Sequence, residues 1–275
     1  MLNVSIVLYH PIVPQVTRLC EELLQAKCVR KVFLIDNSPM KSEEFDNLDR
    51  KISYQWQQGQ NLGYGRGHNI AIRESVYYNT PFHLVINADV WIKAADLDVL
   101  HQFITLHAAV GSLMPKIVYP NGELQYLCKL LPTPAILVGR RFLPQWLMRR
   151  CNERYELRFT GYDKPMNVPY LSGCFMLLRT EAVLKARLFD ERYFMYPEDM
   201  DLTRTIHRDY LTLYYPAVTV VHDHARESYH SWQMTRVHII NMCRYFNKWG
   251  WLFDKERRLM NRLTLQYLSE ANSPT

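Results

Sequence analysis

Three short segments of this chain put carboxylates or imidazoles where an apolar run gives way to a polar one. The first, NADVW at 87–91, follows the apolar FHLVI and sets the Asp89 carboxylate just past an expected strand end. A carboxylate there could hold a hard divalent ion, Mg2+ or Mn2+, and that ion could neutralise a departing diphosphate. Turn formation by Asn87 and Asp89 fits the same residues. The second, PEDMD at 197–201, gathers Glu198, Asp199 and Asp201 directly before a helical pattern. Such acids could simply complement a helix N-terminus. Three of them in four positions also repel one another, which raises a carboxyl toward the range of a general base. The third, VVHDHARES, places His222, Asp223, His224, Arg226 and Ser228 after an apolar strand. A neutral imidazole can ligate a transition metal and an arginine fork can grip phosphate oxygens. His222, at the strand's end, is the better ligand candidate.

A fourth segment, NLGYGRGHN at 61–69, has glycines at 63, 65 and 67 before a helix. The spacing is neither G-x-G-x-x-G nor a P-loop, so neither a dinucleotide site nor an NTPase is supported. Backbone amides at such a turn could still approach a phosphate, with Arg66 adding charge, and a plain tight connection explains it equally.

The elements that must position these residues alternate in the first half of the chain. VSIVLY, VRKVFLIDN, ISYQW and FHLVIN read as strands, and QVTRLCEELLQA and HNIAIRESVYY read as helices. This alternation predicts an α/β fold with a mostly parallel sheet flanked by helices, whose ligands bind beyond the carboxyl ends of the strands. Tyr9, Asp36, Asn37, Asn87 and Asp89 stand at such ends. Residues 126–164 mix prolines, apolar residues and arginines and read as an insertion or flap. The stretch 230–268 reads as one or two amphipathic helices. The expected organisation is one domain over 1–228 and a helical C-terminal extension over 229–275.

At 275 residues, 48% hydrophobic and 22% charged, the chain has a globular composition. Its six cysteines form no C-x-x-C pair, which suggests neither a zinc site nor a disulfide framework and fits a reducing compartment. MLNVSIVLYHP lacks a basic leader and cleavage site, and no run in the middle of the chain nears the ~20 apolar residues of a membrane span. A cytoplasmic location is expected. The net charge of +6 is uneven, with arginines clustered at 140–158 and basic residues again at 248–262, which favours anionic partners there. Trp, Phe, Leu and Met stand beside those arginines, the mixture of an interfacial helix, so peripheral contact with the inner face of an anionic cytoplasmic membrane is one expectation. Core packing or a dimer contact is the other. Nucleic acid is not expected as a partner.

Taken in order, VSIVLYH, IDNS, NLGYGRGHNIAI, INADV, LSGCFMLLR, FDERYFMYPEDMDLTRTIHR and YPAVTVVHDHARES resemble the family-two inverting glycosyltransferases. The likeness is strongest to the bacterial rhamnosyltransferase-like branch and spans roughly residues 3–228. It implies a GT-A fold with a Rossmann-like nucleotide-sugar domain. It also implies sugar transfer from a donor such as dTDP-L-rhamnose to a saccharide or lipid-linked saccharide acceptor in polysaccharide assembly. By this resemblance Tyr9 and Asp36 meet the base and ribose, and Asn61, Gly65, Arg66, Asn69 and Asn87 line the donor pocket. Asp89 binds Mg2+ or Mn2+, with His222 as the matching histidine, and Arg226 and Ser228 lie near the diphosphate. Asp199 is the catalytic base, with Glu198 in reserve. Two departures stand out. The metal loop offers Asn87-Ala88-Asp89, with one carboxylate, where the family often has Asp-x-Asp or Asn-Pro-Asp, and Ala186-Arg187-Leu188 precede Phe189 where it commonly has Gly-Gly.

A nucleotidyltransferase is the second enzyme class to weigh, but YHPIVP at 9–14 carries no Lys or Arg for a phosphate-gripping loop. A non-catalytic carbohydrate-binding protein is the third reading, and the acidic and histidine clusters speak against it.

Overall fold

The structure, a computed structural model, describes residues 1–46, 48–223 and 232–271. From the N-terminus, β1 (Leu2–Leu8) leads through α1 (Val13–Gln25) to β2 (Val29–Asp36) and β3 (Ile52–Trp56). Next come α2 (Tyr64–Tyr77), β4 (Phe82–Ile86), β5 (Val90–Trp91), α3 (Ala94–Leu106) and β6 (Val110–Val118). The middle adds β7 (Cys128–Lys129), α4 (Pro134–Phe142), α5 (Gln145–Tyr155), β8 (Met166–Asn167), β9 (Tyr170–Leu171) and β10 (Phe175–Arg179). Then follow α6 (Thr180–Lys185), α7 (Glu198–Ile206) and β11 (Leu211–His222), with α8 (Trp232–Trp249) and α9 (Lys255–Ala271) in the C-terminal part.

The main sheet has the order β3-β2-β1-β4-β10-β6-β11-β5, with β8 also on β11. β1, β2, β3 and β4 pair in parallel, and β6 pairs in parallel with β11. β10 runs antiparallel between β4 and β6, so both halves point the same way. Six strands therefore share one direction, as the alternation in the sequence implies. The central β4 is buried along its length, with His83 held by Ser5 and Ser75, because helices cover both faces of the sheet. Helix α1 shows how that cover forms: Val16, Leu19, Cys20 and Leu23 recur at helical spacing and are buried against the sheet.

This arrangement brings the carboxyl ends of β1, β2, β4 and β11 to one edge, and the reversed β10 starts at that same edge. The turn into α2 at this edge depends on Gly63, which has φ +81° and lies so close to the Phe194 carbonyl that a Cβ would collide with it. A different turn carries strain. Arg187 and Leu188, where the resemblance led to an expectation of Gly-Gly, both adopt positive φ, 66° and 65°.

Residues 126–164, expected as an insertion or flap, fold into β7 and the α4–α5 helical hairpin. The C-terminal stretch forms two helices that pack on α7. Met200 of α7 shares a buried cluster with Met242, Tyr245, Phe246 and Met260 of those helices. Arg204 of α7 is fully buried and donates to both oxygens of Asp254 at 2.7 Å, reaching Glu256 and Tyr245 as well.

Candidate active site

At the common edge, Tyr64 stands at the centre of a group of acids. Its hydroxyl lies 2.7 Å from the Gly173 carbonyl and 3.0 Å from Asn87 Oδ1. One proton serves whichever of these two it faces, and either contact ties the loop after β4 to the loop before β10. Burial, and then Cys174, Glu198, Asp199 and Asp89 around it, hold the Tyr64 proton in place well beyond the ordinary phenol range.

Asp199 is fixed by its own helix start and by that second loop. Gly173 N–H donates to its Oδ2 at 2.8 Å, Met200 N–H to its Oδ1 at 2.7 Å, and the Tyr170 hydroxyl approaches Oδ2 at 3.4 Å. A Cβ on Gly173 would press to 3.0 Å from the Asp199 Cβ, so a side chain there would crowd Asp199. Its neighbour Glu198 is only 4% exposed, and Glu198 Oε2 has no hydrogen-bond partner. Burial first, then the Asp199 charge, push the Glu198 carboxyl up to about 8. Burial also raises Asp199, against the backbone bonds that favour its ionised form. The third acid, Asp201, has a different environment. It accepts from Lys248 at 2.7 Å and from the Trp249 indole at 2.5 Å, and so binds α7 to α8.

On the other flank, Asp89 Oδ1 lies 3.4 Å from His222 Nε2. Gln125 grips His222 twice. Its amide Nε2 donates to the His222 carbonyl at 2.8 Å, so its Oε1 is the atom 2.9 Å from His222 Nδ1. That orientation puts a proton on Nδ1 and aims Nε2 at Asp89. Burial opposes the charged ring, but Asp89 and Cys174 outweigh it and lift the His222 pKa to about 10. A metal ion joining the pair would therefore displace a proton. Asp89 and His222 fit a divalent ion as two ligands of an incomplete shell. Among the described residues no group of three or more His, Cys, Asp or Glu is placed to hold one alone.

The remaining sequence candidates divide between open and committed positions. Tyr9 is exposed at the end of β1. Asp36 is buried at the end of β2, with Oδ1 accepting from Ser38 N–H and Oδ2 from the Tyr54 hydroxyl. Asn61 accepts from Gly63 N–H, and Asn37 donates to the Gly63 carbonyl, so both shape the entry to α2. Gly65 lies under Phe189 and Glu198. Arg66 is exposed, 3.6 Å from Glu191. Asn69 uses both ends of its amide on Phe189 and Glu191 and braces that segment from within α2. Arg226 and Ser228 lie outside the described residues. Gln125 and the Gly173 amide were not legible from spacing, since 97 residues separate Gln125 from the histidine it orients.

Beside Asp199 lies a cavity of about 70 Å³ bordered by Tyr170, Tyr196, Leu137, His238 and Met242. It opens between α4, α7 and α8, so the hairpin and the C-terminal helices help to form it.

No family model matches the chain. Two curated proteins of Mycobacterium tuberculosis, from strains CDC 1551 / Oshkosh and ATCC 25618 / H37Rv, are each 29% identical to it over 182 residues, 62% of this chain. Each is named N-acetylglucosaminyl-diphospho-decaprenol L-rhamnosyltransferase. The match takes in 58% of their length, so the chain spans little more than half of the curated relatives it resembles. Among solved structures, GalNAc-T7 with UDP, GalNAc and Mn2+ superposes with TM-score 0.59 at 14% identity, covering 81% of this chain and 43% of that one. S. aureus TarS 1–349 with UDP gives 0.55 at 16%, covering 86% and 63%. The mannosyltransferase PcManGT from Pyrobaculum calidifontis, with GDP-Man and Mn2+, gives 0.54 at 13%, covering 99% and 76%. These likenesses show the fold, which is the GT-A arrangement the sequence resemblance implies.

Proposed function

We propose that this chain is an inverting glycosyltransferase that moves a sugar, L-rhamnose from dTDP-L-rhamnose in the leading reading, onto a saccharide carried by a polyprenyl diphosphate during bacterial surface polysaccharide assembly. The observation that carries the proposal is the placement of Asp199. A carboxylate held by two backbone N–H groups borders a cavity and is linked through Gly173 and Tyr64 to the loop bearing Asp89. Similarity to proteins named for rhamnosyl transfer to a diphospho-decaprenol acceptor supports the choice of sugar and acceptor.

In this reading the acceptor hydroxyl enters from the side of the Tyr170–His238 cavity. Asp199 takes its proton as the oxygen bonds to the anomeric carbon and the bond from that carbon to the diphosphate breaks. A single displacement of this kind inverts the configuration. Asp89 and His222 would hold Mg2+ or Mn2+, which would supply positive charge against that of the leaving diphosphate. Tyr9 and the turn after Asp36 border the nucleoside. Arg226 and Ser228 are assigned to the diphosphate by resemblance alone. The work takes place at the cytoplasmic face of a membrane, and no described helix is long and apolar enough to cross one.

Incubating the purified protein with dTDP-L-rhamnose, UDP-hexoses, UDP-N-acetylhexosamines and GDP-mannose, with and without a lipid-linked saccharide, tests the proposal. Acceptor-dependent release of dTDP is the expected result. Turnover of a UDP-sugar instead would correct the donor, and turnover of none would overturn the function.

A further inference from the structure

The α4–α5 hairpin presents a surface that the chemistry at Asp199 does not use. All seven residues from 141 to 147 are exposed, and they include Phe142 at 68% and Trp146 at 74%, with Leu143 and Leu147 at 50% each. The projection is anchored at its base. Met148 and Tyr155 are buried, and Arg140 donates to Asn152 and to Glu156, each at 2.6 Å, with Arg158 on the other oxygen of Glu156. Arg141 donates to Thr235 of α8, which brings the tip beside the first turn of that helix, where Trp232 is 80% exposed.

Charge indicates what covers this apolar surface. Residues 140–158 contain six arginines against two glutamates, and Glu156 is already paired inside the hairpin. Arg149, Arg150 and Arg154 remain exposed around the aromatic tip. Large apolar side chains ringed by guanidinium groups suit the boundary of an anionic bilayer, where the rings sink and the cations stay at headgroup level. The position fits as well: on its inner side α4 contributes Leu137 to the cavity beside Asp199, so a bilayer under the tip would lie next to the acceptor entrance.

We propose that the α4–α5 tip, together with the start of α8, docks on an anionic lipid surface and presents the Asp199 cavity to an acceptor anchored in it. The proposal rests on the lipid-linked reading of the acceptor. Co-sedimentation with vesicles rich in phosphatidylglycerol, compared with pure phosphatidylcholine vesicles, tests it on the full chain. The Arg149→Gln/Arg150→Gln double variant should bind anionic vesicles less tightly by about fivefold per arginine, more so at low salt. Phe142→Ser/Trp146→Ser should lose about tenfold or more. Circular dichroism and nucleoside diphosphate binding should be unchanged in both, because all four side chains are exposed. Wild-type protein that ignores anionic vesicles overturns the proposal, and so does binding that neither double variant reduces. If the apolar variant instead converts a dimer to a monomer with vesicle binding intact, the surface is a contact between copies and the proposal fails. Transfer to a short, soluble acceptor separates the two readings. Turnover without vesicle binding removes the docking surface alone, whereas vesicle binding without turnover of any nucleotide sugar removes the function alone.

Discussion

Replacing Glu198 by Gln tests whether Asp199 works beside a neutral neighbour. Glu198 is 4% exposed and its Oε2 is unpartnered, and burial followed by the charge of Asp199 moves its carboxyl from 4.5 up to about 8. The folded chain therefore keeps this proton at neutral pH, whereas the unfolded chain releases it near 4.5. Across that window the unfolded state binds fewer protons, so the stability that is complete below pH 4.5 is lost as pH rises toward 8. At about 1.4 kcal/mol per pH unit, the interval amounts to about 5 kcal/mol. Gln has the shape of the protonated acid and does not titrate. Glu198→Gln should thus match the wild type within about 1 kcal/mol near pH 5 and exceed it by as much as about 5 kcal/mol above pH 8. For a chain of this size the gap in melting temperature should widen to about 10 °C. Thermal unfolding followed by circular dichroism from about pH 5 to about pH 9 reads it directly. Transfer at neutral pH should survive the substitution, because the neighbour of Asp199 stays neutral. A melting-temperature gap that is flat or shrinks with rising pH would refute the reasoning and make Glu198 an ionised group in the folded chain.

Asp199→Asn should lower transfer by about two to four orders of magnitude while calorimetry finds nucleoside diphosphate affinity unchanged, as expected of a base that acts on the acceptor. Asp89→Ala and His222→Ala should weaken donor binding in Mg2+ or Mn2+ but not in EDTA, and Gln125→Ala, which releases the imidazole, should do the same by about 10- to 100-fold. Equal losses in EDTA would mean that these residues act structurally. Arg187→Gly should stabilise the fold by about 1 kcal/mol in urea titration, because Arg187 is exposed and its positive φ suits glycine. A destabilised variant would show that the Arg187 side chain contributes more than its backbone costs.

The sheet and its functional edge were legible because apolar runs that alternate with helical patterns fix strand direction, and direction fixes where the strands end. Tyr9, Asp36, Asn87, Asp89 and His222 all lie near that edge for this reason. The hairpin over 134–155 was not legible, since Met148 is buried and Trp146 exposed within one apolar segment and composition does not distinguish them. Neither were the different fates of the three acids at the start of α7, which depend on contacts from distant parts of the chain. Asp201 is matched by Lys248 and Trp249 of α8, and Arg204 one turn later is held by Asp254. Glu198 is buried against Gly65, and Asp199 alone receives the Gly173 amide. In water, three carboxylates this close would repel without distinction. Here Asp201 is paired, and the adjacent Glu198 and Asp199 keep between them a proton that burial places on Glu198. The backbone donors at Asp199 then favour the charge on the carboxylate that borders the cavity. The C-terminal helices thus take part in the site through α7, because Lys248 and Trp249 pair Asp201, and Asp254 and Glu256 pair Arg204, on the helix that carries Asp199.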